Sequence, residues 1–323
     1  MMNTVDLAIT VILIVVSFPL IVAISLIFAG IDRKLHARMQ NRIGPPLLQP
    51  FYDLIKLFGK ERIIPNNAIS SIFTIAPIIA VVCSVLGAMI PFLSILLRVN
   101  FMGDLILVLY LLAMPSLMIM FGGSSSGNPF GTLGFSRAVV MLMSYEVPMI
   151  ISIGFVSFKT GFSVTSYDIL VAQETAGMPL AFSNLSIAFA AATFIFCIPA
   201  AVGVVPFDIS EAKTEIVHGT LIEYGGPYLA LMKLAKSVLA FSLTFLSTML
   251  FLYFPAYFNG FPDYNTWFNL FVSLLIALLV MFFTVTLPRT LFARLKIGQA
   301  FKLYWAIPII LLTLSAVSLI MGL

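Results

Sequence analysis

The segment from Pro206 to Gly226 concentrates ionisable side chains in a chain that is 61% hydrophobic and only 9% charged. It carries Asp208, Glu211, Glu215, His218 and Glu223. In a continuous helix, Glu211, Glu215 and His218 share one face because they are four and three residues apart. Carboxylates one turn apart raise each other's affinity for a proton, and a nearby lipid boundary raises it further. The spacing therefore predicts a relay that admits protons or other cations.

Two other interpretations of this segment stay open. Asp208, followed three residues later by Glu211, also resembles a helix-capping pair, which explains two of the acids without any relay. A metal site formed by His218 and the acids has little support, since the chain has two histidines and His36 is remote. We therefore predict no metal. Lys213 lies off the acidic face, where it either pairs with these acids or holds a neighbouring subunit.

Glu146 lies within an apolar run, two residues before Pro148. A charge near the middle of a membrane helix costs about 2.5–3.5 kcal/mol, so Glu146 either faces a wet interior or is protonated. Pro148 removes a backbone donor near Ser144 and gives water a place to bind. The alternative is a neutral acid that is hydrogen-bonded between helices. Because acids within the membrane usually mark ion paths, we predict that Glu146 belongs to one.

The elements that position these residues are membrane-spanning helices. Spanning a bilayer takes about 20 mostly apolar residues in a helix. The chain has eight such runs, which begin near Leu7, Ile72, Leu105, Ala138, Leu185, Ser237, Trp267 and Leu303. The links between them are short. We predict an all-α polytopic membrane helix bundle formed by one domain, residues 1–323.

The basic residues predict which side each link faces. All but two of the 17, namely Arg98 and Lys159, lie in odd-numbered links. Because cytoplasmic loops are enriched in Lys and Arg, we predict a multi-pass protein of the cell membrane with both termini outside. The cytoplasmic loops are then residues 31–68, 122–137, 206–236 and 288–302. The positive net charge is a signal of topology and gives no reason to expect nucleic acid.

The first of these loops contains a short amphipathic helix. Pro50 suits a first helical position, Phe51, Leu54, Ile55 and Phe58 follow at helical spacing, and Gly59 closes the helix. Such a helix lies in the membrane interface, either as a plain lipid anchor or beside a partner. The charged residues that we predict to contact partner subunits are Arg33, Lys34, Arg38, Arg42, Asp53, Lys56, Lys213, Arg289 and Arg294.

The chain has no evident redox centre. Cys83 and Cys197 lie in separate apolar runs, without the spacing of an iron–sulfur site or a disulfide framework. No nucleophile with a base, no phosphate loop and no cofactor motif is present. We therefore predict no cofactor in this chain and no catalysis by it alone.

Three ordered motifs resemble a known family. They are "ARMQNRIGP" with "LLQPFYDLIKLFGKE" at 37–61, "SYEVP" at 144–148, and "PFDISEAKTEIVHGTLIEY" at 206–224. Together they resemble the membrane component of complex I known as NADH dehydrogenase subunit 1, and its counterparts in energy-converting membrane-bound NiFe hydrogenases. The resemblance implies a subunit that anchors a cytoplasmic redox module. It also implies that Glu146, Asp208, Glu211, Glu215 and Glu223 match acids of the family's proposed proton path.

The same resemblance implies partners that carry the redox chemistry. These are hydrogenase-like large and small subunits with a NiFe centre, an iron–sulfur subunit with its clusters, antiporter-like membrane subunits, and the lipid bilayer. Three departures favour the hydrogenase branch over a quinone-reducing one. A single Pro46 replaces a longer spacer, Val204 and Val205 stand where an Arg is usual, and Lys213 stands where an acid is frequent.

We therefore expect a connecting subunit that couples ferredoxin-driven reduction to proton or sodium movement. Two alternatives remain: the quinone-site subunit of a respiratory complex I, and a secondary ion transporter that works alone.

Overall fold

The structure is a computed structural model that describes residues 4–98, 104–255 and 262–322. Within them, eight helices are long and apolar enough to span a membrane, and no residue lies in a strand. This confirms the all-α polytopic bundle. In chain order the helices are α1 Thr4–Met39, α2 Gln49–Phe58, α3 Ser70–Leu97, α4 Asp104–Ser125, α5 Pro129–Lys159, α6 Ser166–Ala176, α7 Leu180–Ser183, α8 Leu185–Val202, α9 Lys213–Ile216, α10 Gly226–Phe251, α11 Pro262–Met281, α12 Leu287–Leu291 and α13 Ile297–Ile320.

Helix α10 forms the centre of the bundle. Every residue from 241 to 251 is buried, and α10 packs against α1, α3, α8 and α11. Its hydroxyl groups donate to carbonyls of its own helix, as Ser242 does to Val238 and Thr248 to Thr244. The hydrogen-bonding capacity of these hydroxyl groups is thus satisfied without water, which allows other helices to surround α10 on all sides.

The outer helices present apolar stripes outward. On α3 the exposed residues recur at helical spacing: Ile72, Ile75, Ile78, Val82 and Leu86. Such a stripe suits lipid contact because hydrocarbon solvates it well. On the inner side, a Cβ added at Gly87 would lie 2.7 Å from Leu112 Cδ2, so a glycine is what lets α3 and α4 approach closely.

Because successive spanning helices cross in opposite directions, the links alternate between two ends of the bundle. The links 40–69, 126–128, 203–225 and 292–296 lie at one end, which we call the basic end. These links are shorter than the loops expected from hydropathy, because α1 continues to Met39 and α10 begins at Gly226. At the other end, which we call the far end, the buried Asp104 carboxylate accepts hydrogen bonds from Ser166 N and Ser166 Oγ, both at 2.6 Å.

The amphipathic helix forms where the sequence predicts it. Pro50 lies in the first turn of α2, and Gly59 follows its last residue. Phe51 and Leu54 pack against the core, whereas Ile55 and Phe58 are exposed. Helix α2 thus has one apolar flank on the bundle and another free to meet lipid or protein.

A π-helical turn, Phe282–Thr286, joins α11 to α12. A π turn inserts an extra residue into a helix, and such turns are frequent at functional sites. Here Thr286 Oγ1 donates to Asp32 Oδ1 of α1 at 2.7 Å. The turn therefore joins the end of the seventh span to the first.

Candidate functional site

The acid-rich segment is not the continuous helix that its spacing predicts. It comprises a 3-10 turn Ile209–Glu211, the single turn α9, and a second 3-10 turn Gly219–Leu221. Between the last two, Val217 adopts a φ of +62°, a conformation that β-branched residues rarely take. The prediction that Glu211, Glu215 and His218 share one helical face is therefore wrong.

Close packing against two long helices accounts for the break. A Cβ on Gly123 of α4 would lie 2.6 Å from Thr220 Cα, and one on Gly134 of α5 would lie 2.7 Å from Thr220 N. The second 3-10 turn thus sits directly on both backbones. It also buries Thr220 and Leu221, and Ile216 is buried just before it. Tertiary burial has overridden the local helical preference of this segment.

The basic end holds a cavity of about 420 Å³, which we call the main cavity. Six basic and three acidic side chains line it: Arg33, Lys213, Lys233, Lys236, Arg289, Arg294, Asp32, Asp208 and Glu211. His218 also lines it. Its apolar surface comes from Ala29, Val202, Val204, Val205, Ala240, Met281 and Val285. The structure thus brings Asp208, Glu211, His218, Lys213, Arg33, Arg289 and Arg294 of the predicted residues together.

Each acid that lines the main cavity is paired with a base. Glu211 pairs with Lys236. Asp208 accepts from Arg294 at 2.7 Å.

Asp32 is held at two points, by Arg289 at 3.2 Å and by Thr286. The alternative interpretation, in which Asp208 caps a helix, is wrong, since its side chain makes no cap hydrogen bond to the 3-10 turn that follows it.

The other two predicted acids lie elsewhere. Glu215 does not line the main cavity and pairs with Arg137 of α5 at 2.5 Å. Glu223 accepts from Asn128 Nδ2 at 2.6 Å and lines a separate polar pocket of about 230 Å³. Asn128 in turn caps α5, because its Oδ1 accepts from Phe130 N. Glu223 thus braces the start of the helix that carries Glu146.

Two narrow cavities, separate from the main cavity, share lining residues with it or with each other, and the second reaches Glu146. The first, of about 50 Å³, is lined by Glu211, Lys236, Ser116 and Tyr145 among others. The second, of about 40 Å³, is lined by Tyr145 and Glu146. Volumes of this size can hold one or two waters where polar groups are present. Glu211 and Lys236 line both the main and the first narrow cavity, and Tyr145 lines both narrow ones.

Buried polar atoms without a hydrogen-bond partner lie beside these cavities. Asp208 Oδ1 beside the main cavity and Thr220 Oγ1 beside the first narrow one are buried, with no hydrogen-bond partner in the described part of the protein. Glu146 is half-buried, and no ion pair or hydrogen bond is seen for its carboxyl group among the described residues. Helix α5 runs through Pro148 without interruption. Ionisable and unpaired polar groups therefore recur beside the cavities from Asp208 to Glu146.

Burial and three nearby lysines shift the pKa of His218. Burial lowers the pKa of the His218 imidazole below its usual 6.5, and Lys213, followed by Lys236 and Lys233, lowers it further, while Glu211 opposes the change. His218 is therefore neutral at pH 7. A neutral imidazole can both accept and donate a proton.

The remaining predicted docking residues surround α2. Arg33 donates to Asp53 Oδ2 at 2.6 Å, and Gln49 donates to Asp53 Oδ1 at 3.0 Å. Burial alone would raise the pKa of the Asp53 carboxyl, but these hydrogen bonds, together with the charges of Arg33 and Lys233, outweigh it and the pKa lies below its usual range. Arg38, Arg42 and Lys56 are exposed, and Lys34 is partly exposed. None of these four has an ion pair among the described residues.

Sequence reasoning missed several residues of this site. Asp32 does not stand out in the sequence because it directly precedes Arg33 and Lys34, whose charges are already explained by the membrane topology. Lys233 and Lys236 count only as loop charges in the sequence. Tyr145 gives no signal beyond its place next to Glu146. No group of three or more potential metal ligands occurs within the described ranges.

Comparisons with known proteins agree on the class of this chain. A family model described as NADH dehydrogenase matches residues 9–321. The chain is 31% identical over 305 residues to the H subunit of NADH-quinone oxidoreductase from Geobacillus sp., covering 90% of this chain and 87% of that protein. It is 34% identical over 312 residues to the corresponding H subunit from Thermomicrobium roseum, covering 90% and 89%.

A solved structure is similar over the same extent. It is a chain of an archaeal respiratory membrane complex, the membrane-bound sulfane sulfur reductase, with a TM-score of 0.82 and 32% sequence identity. The match covers 94% of this chain and 98% of the other. The likeness therefore extends to the whole bundle.

Proposed function

Because the chain belongs to the NADH dehydrogenase family, we propose that it is the connecting membrane subunit of a hydrogenase-type, complex I-like assembly. It anchors a redox module at the basic end and couples electron transfer to the movement of protons or sodium ions. It carries out no redox chemistry itself.

One observation carries this proposal. The main cavity and the two narrow cavities share lining residues in series, from the paired charges at the basic end to Glu146, an acid inside a spanning helix. A carboxylate that is not neutralised is costly within a membrane, so a route to it that can be hydrated favours exchange of its proton or cation. Asp208, Glu211 and His218 stand at the entrance of this route.

The basic end faces the cytoplasm in this proposal, as the distribution of Lys and Arg requires. The exposed cations on α1 and beside α2 are available to acidic surfaces of the soluble partners. Those partners are hydrogenase-like large and small subunits and an iron–sulfur subunit, which hold the NiFe centre and the clusters. Antiporter-like subunits adjoin the bundle within the membrane.

The test replaces Glu146 by Gln in the intact assembly. We expect the number of ions moved per electron to fall by about tenfold or more, because an amide cannot exchange a proton at this position. Electron transfer itself should continue. The matched control is Glu61→Gln, an exposed acid outside the three cavities. An unchanged ratio in Glu146→Gln, with all subunits present, contradicts the role of this residue.

A quinone-site subunit is the second candidate, and the names of the bacterial relatives favour it. The sulfane sulfur reductase, at similar identity, favours an acceptor other than quinone. Quinone extracted with the purified assembly, or inhibition by quinone-site inhibitors, would decide for the second candidate. Purification of the chain without any partner would instead favour a transporter that works alone.

A further inference from the structure

The main cavity carries more positive than negative charge. Six basic and three acidic side chains line it. Lys236, Arg289 and Arg294 neutralise the three acids, and Arg33 is neutralised by Asp53, which lies outside the lining. Lys213 and Lys233 remain. Neither forms an ion pair in the described part of the chain, and Lys233 acts on the Asp53 carboxylate only through its charge. Two lysines without an ion pair therefore line one cavity.

The lysines of the cavity also act on a neighbouring residue. Partial burial lowers the pKa of His218, and Lys213, Lys236 and Lys233 lower it further, against the opposing effect of Glu211. Clefts lined by one sign of charge concentrate ions of the opposite sign. This cavity should therefore attract anions. When no anion is bound, its positive charge repels the cations that the proposed transport route must admit.

The size and lining of the cavity suit a ligand larger than a single ion. Its volume, about 420 Å³, lies within the usual range for small-molecule sites. The apolar side chains of Val204, Val205, Ala240, Met281 and Val285 line it together with the charges. Basic pockets between spanning helices commonly receive anionic lipid headgroups, and lysine binds phosphate as a point charge.

We propose that the main cavity is an anion site, in which Lys213 and Lys233 together bind a phosphate group. The phosphate belongs either to a lipid headgroup or to a free soluble phosphate. The bound anion neutralises the entrance of the cavity. This goes beyond the proposed function and is tested by binding, which does not depend on whether Glu146 moves ions.

The experiment compares the intact assembly with the double variant Lys213→Gln, Lys233→Gln. Two probes are used: retention of phosphatidylglycerol by native mass spectrometry, and binding of radiolabelled inorganic phosphate by equilibrium dialysis. We expect the variant to bind at least one probe about tenfold more weakly than the wild type. Charge-preserving Lys213→Arg, Lys233→Arg should restore most of the binding.

The two arms identify the source of the phosphate. Retention of the lipid without binding of inorganic phosphate assigns the site to a headgroup, and the reverse assigns it to a soluble ligand. The matched control is Lys60→Gln, Lys302→Gln, which removes two exposed lysines outside the cavity and should change neither probe.

Three results would overturn the proposal. The first is that the wild type binds neither probe. The second is that the control variant loses as much binding as the cavity variant. The third is loss of partner subunits from the cavity variant, which would make Lys213 and Lys233 docking residues.

Discussion

At the scale of single residues, the site depends on how each charge is neutralised. Glu211 and Lys236 have side chains that are only 16% and 23% exposed, so neither is fully solvated without the other. A partly buried charge that loses its partner retains its desolvation cost, whereas removing both charges together costs less. The pair is therefore a structural requirement as well as a step on the proposed route.

A double-mutant cycle on this pair measures that dependence. We expect Lys236→Met alone to lower thermal stability more than Lys236→Met combined with Glu211→Gln, with a coupling energy of about 1–3 kcal/mol. Lys60→Met, which removes an exposed lysine outside the cavities, should change stability by less than about 0.5 kcal/mol. Additive effects of the two substitutions would show that the pair is not coupled.

A second prediction concerns pH and His218. Its pKa is lowered in the folded protein, so the unfolded chain binds a proton more readily. The contribution of His218 to stability is therefore complete above its usual pKa of 6.5 and is lost as pH falls below that value. Between about pH 7.5 and about pH 5.5, the thermal midpoint should therefore fall less for His218→Gln than for the wild type. An equal fall in both proteins would contradict the pKa shift.

At the scale of elements, backbone contacts decide the shape of the acid-rich segment. The second 3-10 turn rests on α4 and α5 through Gly123 and Gly134. Because the neighbouring atoms are backbone atoms of Thr220, they cannot move aside by a change of rotamer. The placement of Glu211 therefore depends on two glycines in other helices.

Two glycines of α5 test this dependence. Gly134→Ala places a Cβ 2.7 Å from Thr220 N, whereas a Cβ on Gly154 of the same helix has no atom within 4 Å. We expect Gly134→Ala to cost about 1–3 kcal/mol by overpacking and to lower the number of ions moved per electron. Gly154→Ala should be neutral or stabilise by up to about 1 kcal/mol. Thermal unfolding and transport assays check both, and equal behaviour of the two variants would contradict the account.

At the scale of the whole molecule, the two ends of the bundle differ in chemistry. The basic end holds the main cavity, α2 and most of the Lys and Arg residues. The far end is held by compact polar contacts, such as Arg98 with Glu174 at 3.1 Å, and Asp104 with Ser166. This asymmetry supports the proposed orientation and the proposed docking of soluble partners at the basic end.

Cysteine labelling tests the orientation. Cys83 and Cys197 are first replaced by Ala, and Asn66→Cys at the basic end is compared with Thr175→Cys at the far end, both exposed positions. Because the proposed orientation places the basic end inward, an impermeant maleimide added to intact cells should label Thr175→Cys and not Asn66→Cys. The reverse pattern would invert the topology and place the main cavity outside.

The sequence by itself determined the number of spans, the amphipathic helix α2 and the family. These follow from patterns within short windows, namely runs of apolar residues, helical spacing after Pro50, and motifs in a fixed order. The same local reasoning failed for Glu211, Glu215 and His218, since it assumed one helix where packing on α4 and α5 imposes three short turns.

Only the tertiary structure decided which partner each charge has. Asp32 pairs with Arg289, 257 residues away, and Asp208 with Arg294, 86 residues away. No periodicity in the sequence encodes such pairs, because they form only when separate helices meet at one end of the bundle. For the same reason, only the fold separated Glu215 and Glu223 from the main cavity and placed Lys213 and Lys233 inside it without an ion pair.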